Sequence, residues 1–288
     1  MIDWPALFRR FDRPQAKAFA RMGSHARGDP NPFSDIDLVR FTTTKEPSLP
    51  DAGSHLVDGH LVVVSDCSPE EVEKSFIQPE IAVDRIPGLR SGRALRDNDG
   101  FFASLQARAN AFVWDAAMQT RADAFASQAM MGWVEEVHKA LAGLHNGETG
   151  RLLDGEFGLT WGLSRLVSTQ RGVPLVPLPD GVAWSRDWFE HAEQVIGAGT
   201  EWAHLRRRTF GVGVRGPAGS VAPLRERVIA GLWLYVATSE LLADVWRSPE
   251  IELINHTVRL IRDTLTIEHK KLDSSRIRRY PPPQGAKQ

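Results

Sequence analysis

Gly23-Ser24-His25-Ala26-Arg27-Gly28-Asp29-Pro30-Asn31-Pro32-Phe33-Ser34-Asp35-Ile36-Asp37-Leu38 is the stretch that decides how the rest of the chain is read. Gly23 lets a ligand approach the backbone closely, and Ser24 adds a hydroxyl and an N–H suited to phosphate oxygens. Asp29-Pro30-Asn31-Pro32 is barred from helix and from a central strand, so it is a loop. Asp35 and Asp37 then open the apolar run Ile36–Phe41, which reads as a strand. Side chains at i and i+2 of a strand share a face, so the two carboxylates point the same way. Paired oxygen ligands beside a phosphate cradle are what a Mg²⁺-nucleotide requires. Gly-Ser is common in turns and Asp-x-Asp on surfaces; the combination, with a loop between them and a strand behind, carries the reading.

Upstream, Trp4–Arg21 has apolar residues at helical spacing (Leu7, Phe8, Phe11, Ala18, Phe19), interrupted by Pro14, which predicts a helix whose first turn starts near Pro14. Downstream, Lys45–Gly53 is loop. His55–Val57 and His60–Val64 flank Asp58-Gly59 and form a hairpin, because Asp-Gly supplies the positive φ of a two-residue turn. Ser68-Pro69-Glu70-Glu71 starts a helix: Ser caps, Pro takes the first position, and Glu meets the dipole. Gly88–Leu95 reads as a loop into a short strand that Asn98-Asp99-Gly100 ends. From Phe101 onward apolar residues recur every three or four positions, which marks a helical half. The expected architecture is α+β: a small mixed-sheet domain over 1–115, an all-α bundle over 116–273, and a basic, Pro-rich tail over 274–288 that is expected to be disordered.

The 288 residues carry a net charge of −1, so no global field draws the protein to nucleic acid or to a membrane surface. A single cysteine, Cys67, excludes an intramolecular disulfide and fits a reducing cytoplasm, the expected location. The N-terminus lacks the basic start and apolar run of a signal peptide, and no apolar stretch reaches membrane-spanning length. Nine tryptophans stand against two tyrosines, most of them after residue 110, and read as anchors between helices.

The pattern Gly-Ser-x-Ala-Arg-Gly-x(5)-Ser-Asp-Ile-Asp-Leu over residues 23–38 resembles the signature of the DNA polymerase β-like nucleotidyltransferases. It is nearest to the small bacterial members, the aminoglycoside and lincosamide nucleotidyltransferases and the antitoxin-type minimal nucleotidyltransferases. The wider layout, a small α/β domain before a helical one, is loosely similar over most of the chain. The resemblance implies an enzyme that transfers a nucleoside monophosphate from a Mg²⁺-bound NTP, expected to be ATP, to a hydroxyl of a small acceptor, aminoglycoside-like among the options. It implies that Asp35 and Asp37 are the metal-binding, catalytic pair and that Gly23 and Ser24 form the triphosphate-binding turn. Beside them, Arg27 is placed to add a charge-assisted phosphate contact and Ser34 to orient the loop.

The family usually carries a third carboxylate on the strand beside the Asp-x-Asp strand, as metal ligand or as base. Here the matching strand is His60–Ser65, with His60, Val62 and Val64 at alternate positions and Asp58 and Asp66 on the same parity. At ~3.3 Å per residue those two acids lie roughly 26 Å apart, so at most one reaches the metals. Three readings stay open: Asp58 completes the site; His60 serves as base; or the third group comes from the helical domain or is lost. In the helical half, Gly155, Gly158 and Gly162 form a stripe that suits close helix packing or a ligand, and Asp154 and Glu156 suit a cationic acceptor. Trp161, Trp184, Trp188 and Trp202 offer stacking surfaces, with core packing the default. Arg206-Arg207-Arg208 reads as a solvated face. Arg262 and His269 have the Arg-x(6)-His spacing of helical toxin ribonucleases. The rival function is an inactive nucleotidyltransferase-fold interaction module of the antitoxin type. A nucleic-acid polymerase is disfavoured by the absence of a basic groove. The expected partners are the nucleotide and the acceptor, without membrane or nucleic acid, and a homodimer is left open.

Overall fold

The computed structural model describes residues 2–43, 49–177, 188–212 and 221–279, the side chains of 221–222 and 268–279 excepted. The chain divides into two compact units, Met1–Ala122 with Thr169–Ala192, and Asp123–Ser168 with Glu193–Gln288. The first unit therefore recruits a later segment, where the sequence reading placed one cut at 115/116. The reason is local. Gln119 Nε2 donates to the Gln170 carbonyl at 3.1 Å, and Gly172, at φ +59, lies against the Trp114 indole.

The first unit is built on a five-stranded mixed sheet of order β3-β4-β2-β1-β5. Helix α1 (Trp4–Phe11) precedes β1 (Ala16–Arg21), and a short helix α2 (Gly23–Arg27) leads to β2 (Ile36–Thr42). Strands β3 (Gly53–Val57) and β4 (His60–Cys67) form the expected hairpin, with Asp58 at φ 49 and Gly59 at φ 79. Helices α3 (Pro69–Ile77) and α4 (Pro79–Ser91), strand β5 (Arg93–Asp97) and helix α5 (Phe101–Asn110) complete it. Helix α3 begins with a capping box in which Ser68 and Glu71 satisfy each other's backbone N–H groups. Two readings change. Ala16–Arg21 is a strand, because Ala18 and Ala20 bury on the α4/α5 side while Phe19 buries on the α1 side, a period of two. Helix α4 runs through Pro87 to Ser91, with Leu89 buried, where a loop was expected from Gly88.

Strand β2 pairs antiparallel with β1 and parallel with β4, and the parallel register sets Ile36 beside Val62, Asp37 beside Val63, and Phe41 beside Cys67. The two faces of β2 differ. Ile36 and Leu38 pack with Val62, Val64 and α1. Val39 and Phe41 pack with Cys67 and helices α3–α5. Arg40 is wholly buried on the first face and is held by Asp66 of β4 through Nε at 2.6 Å and Nη2 at 3.0 Å. Its Nη1 also donates to the carbonyls of Phe11 at 3.2 Å and Pro50 at 2.8 Å.

The second unit is helical, and its core is drawn from α6 (Ala116–Gly132), α7 (Val134–Asn146), α8 (Thr149–Gln170), α10 (Glu201–Thr209), α11 (Val221–Leu241) and α12 (Glu250–Arg279). The glycine stripe of α8 serves close packing. A Cβ at Gly155 would strike the backbone of Ala140, and one at Gly162 would strike the Trp133 ring. Arg206 is fully buried rather than solvated: Glu193 of α9 (Trp188–Ile196), itself buried, lies 3.5 Å from it and takes Arg207 in a bidentate pair. Trp202 is a core residue whose Nε1 donates to Thr238. Helix α12 continues through Arg279, so residues 274–279 of the expected tail are helical; 280–288, Trp184 and the side chain of His269 lie outside the described residues.

Candidate active site

The Gly-Ser turn and the Asp pair meet at the end of β2. Met22 N–H donates to the Asp37 carbonyl at 2.8 Å, which ties the turn to the strand. Gly23 then adopts φ +63, and a Cβ built there would collide with Asp37 Oδ2. Only glycine meets both demands, a left-handed backbone and a carboxylate against its Cα. The five-residue α2 closes on Gly28 at φ 88, whose N–H donates to the Ser24 carbonyl at 2.9 Å. In the loop before β2, Asn31 Oδ1 accepts from Phe33 N–H at 2.8 Å, and Ser34 Oγ accepts from Asn31 N–H at 2.9 Å. Ser34 thus closes the loop that delivers Asp35.

Asp35 immediately precedes β2 and shares Asp37's parity. Among the described residues neither carboxylate accepts a side-chain hydrogen bond or enters an ion pair. Asp37 is half-buried, and its carboxyl is pushed above the usual carboxylate range, first by burial and then by the negative charge of Asp35; Arg27 and His25 oppose the shift. Arg27 lies 3.4 Å from Asp29 through Nε. His25 packs edge-on against Trp4, and its buried Nε2 has no hydrogen-bond partner among the described residues. Two crowded carboxylates without a counter-cation fit a divalent ion, whose charge would relieve both the burial cost and the mutual repulsion. Among the described residues no group of three or more His, Cys, Asp or Glu side chains is placed to hold a metal, so the pair stands as two acids.

The register shows why. The face of β4 that adjoins Asp37 carries Leu61, Val63, Ser65 and Cys67. The residue of that face directly beside Asp37 is the apolar Val63. His60 belongs to the opposite parity, with Val62 and Val64, and Asp58 sits at the tip of the hairpin. Asp66, also of that parity, is consumed by Arg40. The structure therefore brings together Gly23, Ser24, Arg27, Asp35 and Asp37, and leaves Asp58 and His60 apart from them.

In the helical unit, Asp154, Phe157 and Trp161 rim a groove of about 370 Å³ over Gly158 and Gly162. Glu156 turns away toward Arg227 at 3.5 Å, and burial raises its pKa. Arg262 pairs with Glu240. Sequence reading missed the cavity beside Asp37, walled by α3 and α4, because those helices are distant in sequence and carry no motif.

Among solved structures the chain is similar to a nucleotidyltransferase-like protein from Exiguobacterium sibiricum 255-15, at 10% identity and a TM-score of 0.44 over 84% of this chain and 77% of that one. No protein-family model and no curated protein matches the chain. No helix among the described residues is long and apolar enough to cross a membrane.

Proposed function

We propose that this protein is a metal-dependent nucleotidyltransferase that moves a nucleoside monophosphate from an NTP, expected to be ATP, to a hydroxyl of a small molecule. The observation that carries the reading is the packing of Gly23 against the Asp37 carboxylate, with Asp35 beside it and, among the described residues, no cation in an ion pair with either. In this reading Asp35 and Asp37 hold Mg²⁺ and, with it, the triphosphate. Bound there, the metal neutralises charge developing on the phosphates and lowers the pKa of the acceptor hydroxyl. Gly23 keeps the turn close to the carboxylates, and the Ser24 hydroxyl is available to a phosphate oxygen. Arg27 adds positive charge on the same side. The acceptor oxygen bonds to the α-phosphorus as the bond to pyrophosphate breaks, and the hydroxyl proton leaves to water.

One observation favours the second reading, a nucleotide-binding interaction module: Val63 occupies the strand position that would supply a third acid. Incubating the full chain with Mg²⁺, labelled ATP or GTP and a panel of hydroxylated acceptors separates the two. Catalysis predicts pyrophosphate release that Asp35→Asn or Asp37→Asn lowers by about two to three orders of magnitude, about 3–4 kcal/mol of transition-state stabilisation. Mg-ATP binding without turnover on any acceptor selects the module. No binding, with the variants silent, removes both.

A further inference from the structure

Between the sheet and helices α3 and α4 lies a cavity of about 190 Å³ with Asp37 in its wall. Val39, Phe41, Val72 and Leu89 make most of its lining apolar. Its far end is marked by Cys67, with the Nη1 of Arg85 at 3.9 Å from the thiol sulfur. Cys67 stands four residues further along β4 than Val63, the neighbour of Asp37. At ~3.3 Å per residue that separation is about 13 Å. The cavity is thus a mainly apolar passage with the Asp37 carboxylate at one end and the Arg85 guanidinium, next to Asp84, at the other.

Size and charge together select the occupant. A cavity of ~150 Å³ lined by aliphatic and aromatic side chains accommodates benzene. This one is slightly larger, so it admits one ring or a short chain with small substituents and excludes a multi-ring molecule. A thiol is a weak acceptor, and among the described residues Arg85 has no carboxylate partner. Asp84, its neighbour on the rim, is engaged in an interaction of its own. We propose that this cavity is the acceptor pocket, and that it takes a single-ring or short-chain alcohol whose hydroxyl meets the Asp37 end and whose far end is anionic and meets Arg85. The word acceptor rests on the nucleotidyl-transfer reading; the occupancy of the cavity does not. The cavity is too small for an aminoglycoside-like polycation.

Cys67 is the chain's single cysteine and lines the cavity, so its alkylation by iodoacetamide in the full chain reports occupancy at one site. The probes are 4-hydroxyphenylacetate and tyramine, which share a hydroxylated ring and differ in the charge of the other end. The acid is expected to slow alkylation about tenfold at a concentration about ten times its Kd, and tyramine to leave it unchanged. Arg85→Gln should remove the protection and Arg85→Lys keep most of it, each judged against its own rate without probe. Protection by neither probe, equal protection by both, or protection that survives Arg85→Gln overturns the proposal. Mg-ATP binding is titrated on the same samples. Protection without Mg-ATP binding supports the pocket and removes the nucleotide reading, and Mg-ATP binding without protection does the reverse.

Discussion

Asp37 and Asp66 stand on neighbouring strands of one sheet, and the molecule treats them in opposite ways. Asp66 is locked to a fully buried arginine by two charge-assisted bonds, accepts a third from the Leu49 N–H at 2.6 Å, and faces α1. Asp37 faces the other side, next to a second carboxylate and a glycine, with no ion-pair partner among the described residues and a raised pKa. A protein stabilises its buried charges by pairing them. In the proposed reading, the two like charges left side by side take their counter-charge from a metal ion. The paired acid holds β2 against β4; the unpaired one is what β2 presents.

The contrast is broken most directly at Asp66. Asp66→Ala leaves Arg40 buried without its counter-ion and should cost about 3–5 kcal/mol in urea unfolding, with Arg40→Met in the same background recovering part of it. A loss under about 1 kcal/mol would place the pair among weak surface bridges and dissolve the distinction.

Gly23→Ala tests the other side. The left-handed backbone alone costs about 1–2 kcal/mol, and the new methyl displaces the Asp37 carboxylate. Gly28→Ala serves as the control, since its φ of +88 imposes the same backbone strain with open space around the Cβ. Both variants should lower the unfolding midpoint by similar amounts, and Gly23→Ala alone should weaken Mg-ATP binding, by about tenfold or more. Equal loss of binding in the two would assign the effect to the turn rather than to the carboxylate contact.

The raised pKa of Asp37 gives a smaller, signed effect. In the absence of metal the folded protein holds the Asp37 proton more tightly than the unfolded chain, whose pKa is near 3.8. Between those two pKa values the native state binds more protons, so stability falls as pH rises through that window and stays lower above it. Asp37→Asn should raise the midpoint of the metal-free protein at neutral pH and flatten its pH dependence above the unfolded value. Added Mg²⁺ should stabilise the wild type and leave Asp37→Asn nearly unchanged. A variant less stable than wild type at neutral pH would show the carboxylate to be a structural anchor like Asp66.

How much of this was legible follows from the same strands. Asp35-x-Asp37 alternates with Ile36 and Leu38, so its face is written in the sequence, and Asp58-Gly59 writes its own turn. Strand β4 reads Leu-Val-Val-Val at its centre, although only Val62 and Val64 are buried, while Leu61 is exposed and Val63 half-buried on the side of Asp37. Without alternation the side that adjoins Asp37 is invisible until the register is known. Ala16–Arg21 hid its period of two behind small residues, and the burial of Arg206 depended on Glu193, a partner on another helix. The cavity at Arg85 needed β2, β4, α3 and α4 at once.

That register makes a last, small effect decisive. His60 begins β4 three residues before Val63, about 10 Å away at ~3.3 Å per residue and on the opposite face. Asp58 lies beyond it, where its φ of 49 is what the hairpin turn asks of it. His60→Gln and Asp58→Asn, which keeps the turn, should therefore each leave kcat and KM for nucleotidyl transfer within about twofold, and leave the pH dependence of kcat unshifted. A general base behaves otherwise: its removal lowers kcat by about two to four orders of magnitude and deletes one limb of the pH profile. If His60→Gln produced that loss, β4 would have to present its other face to the site, and Val63, Cys67 and the cavity beside them would leave it together.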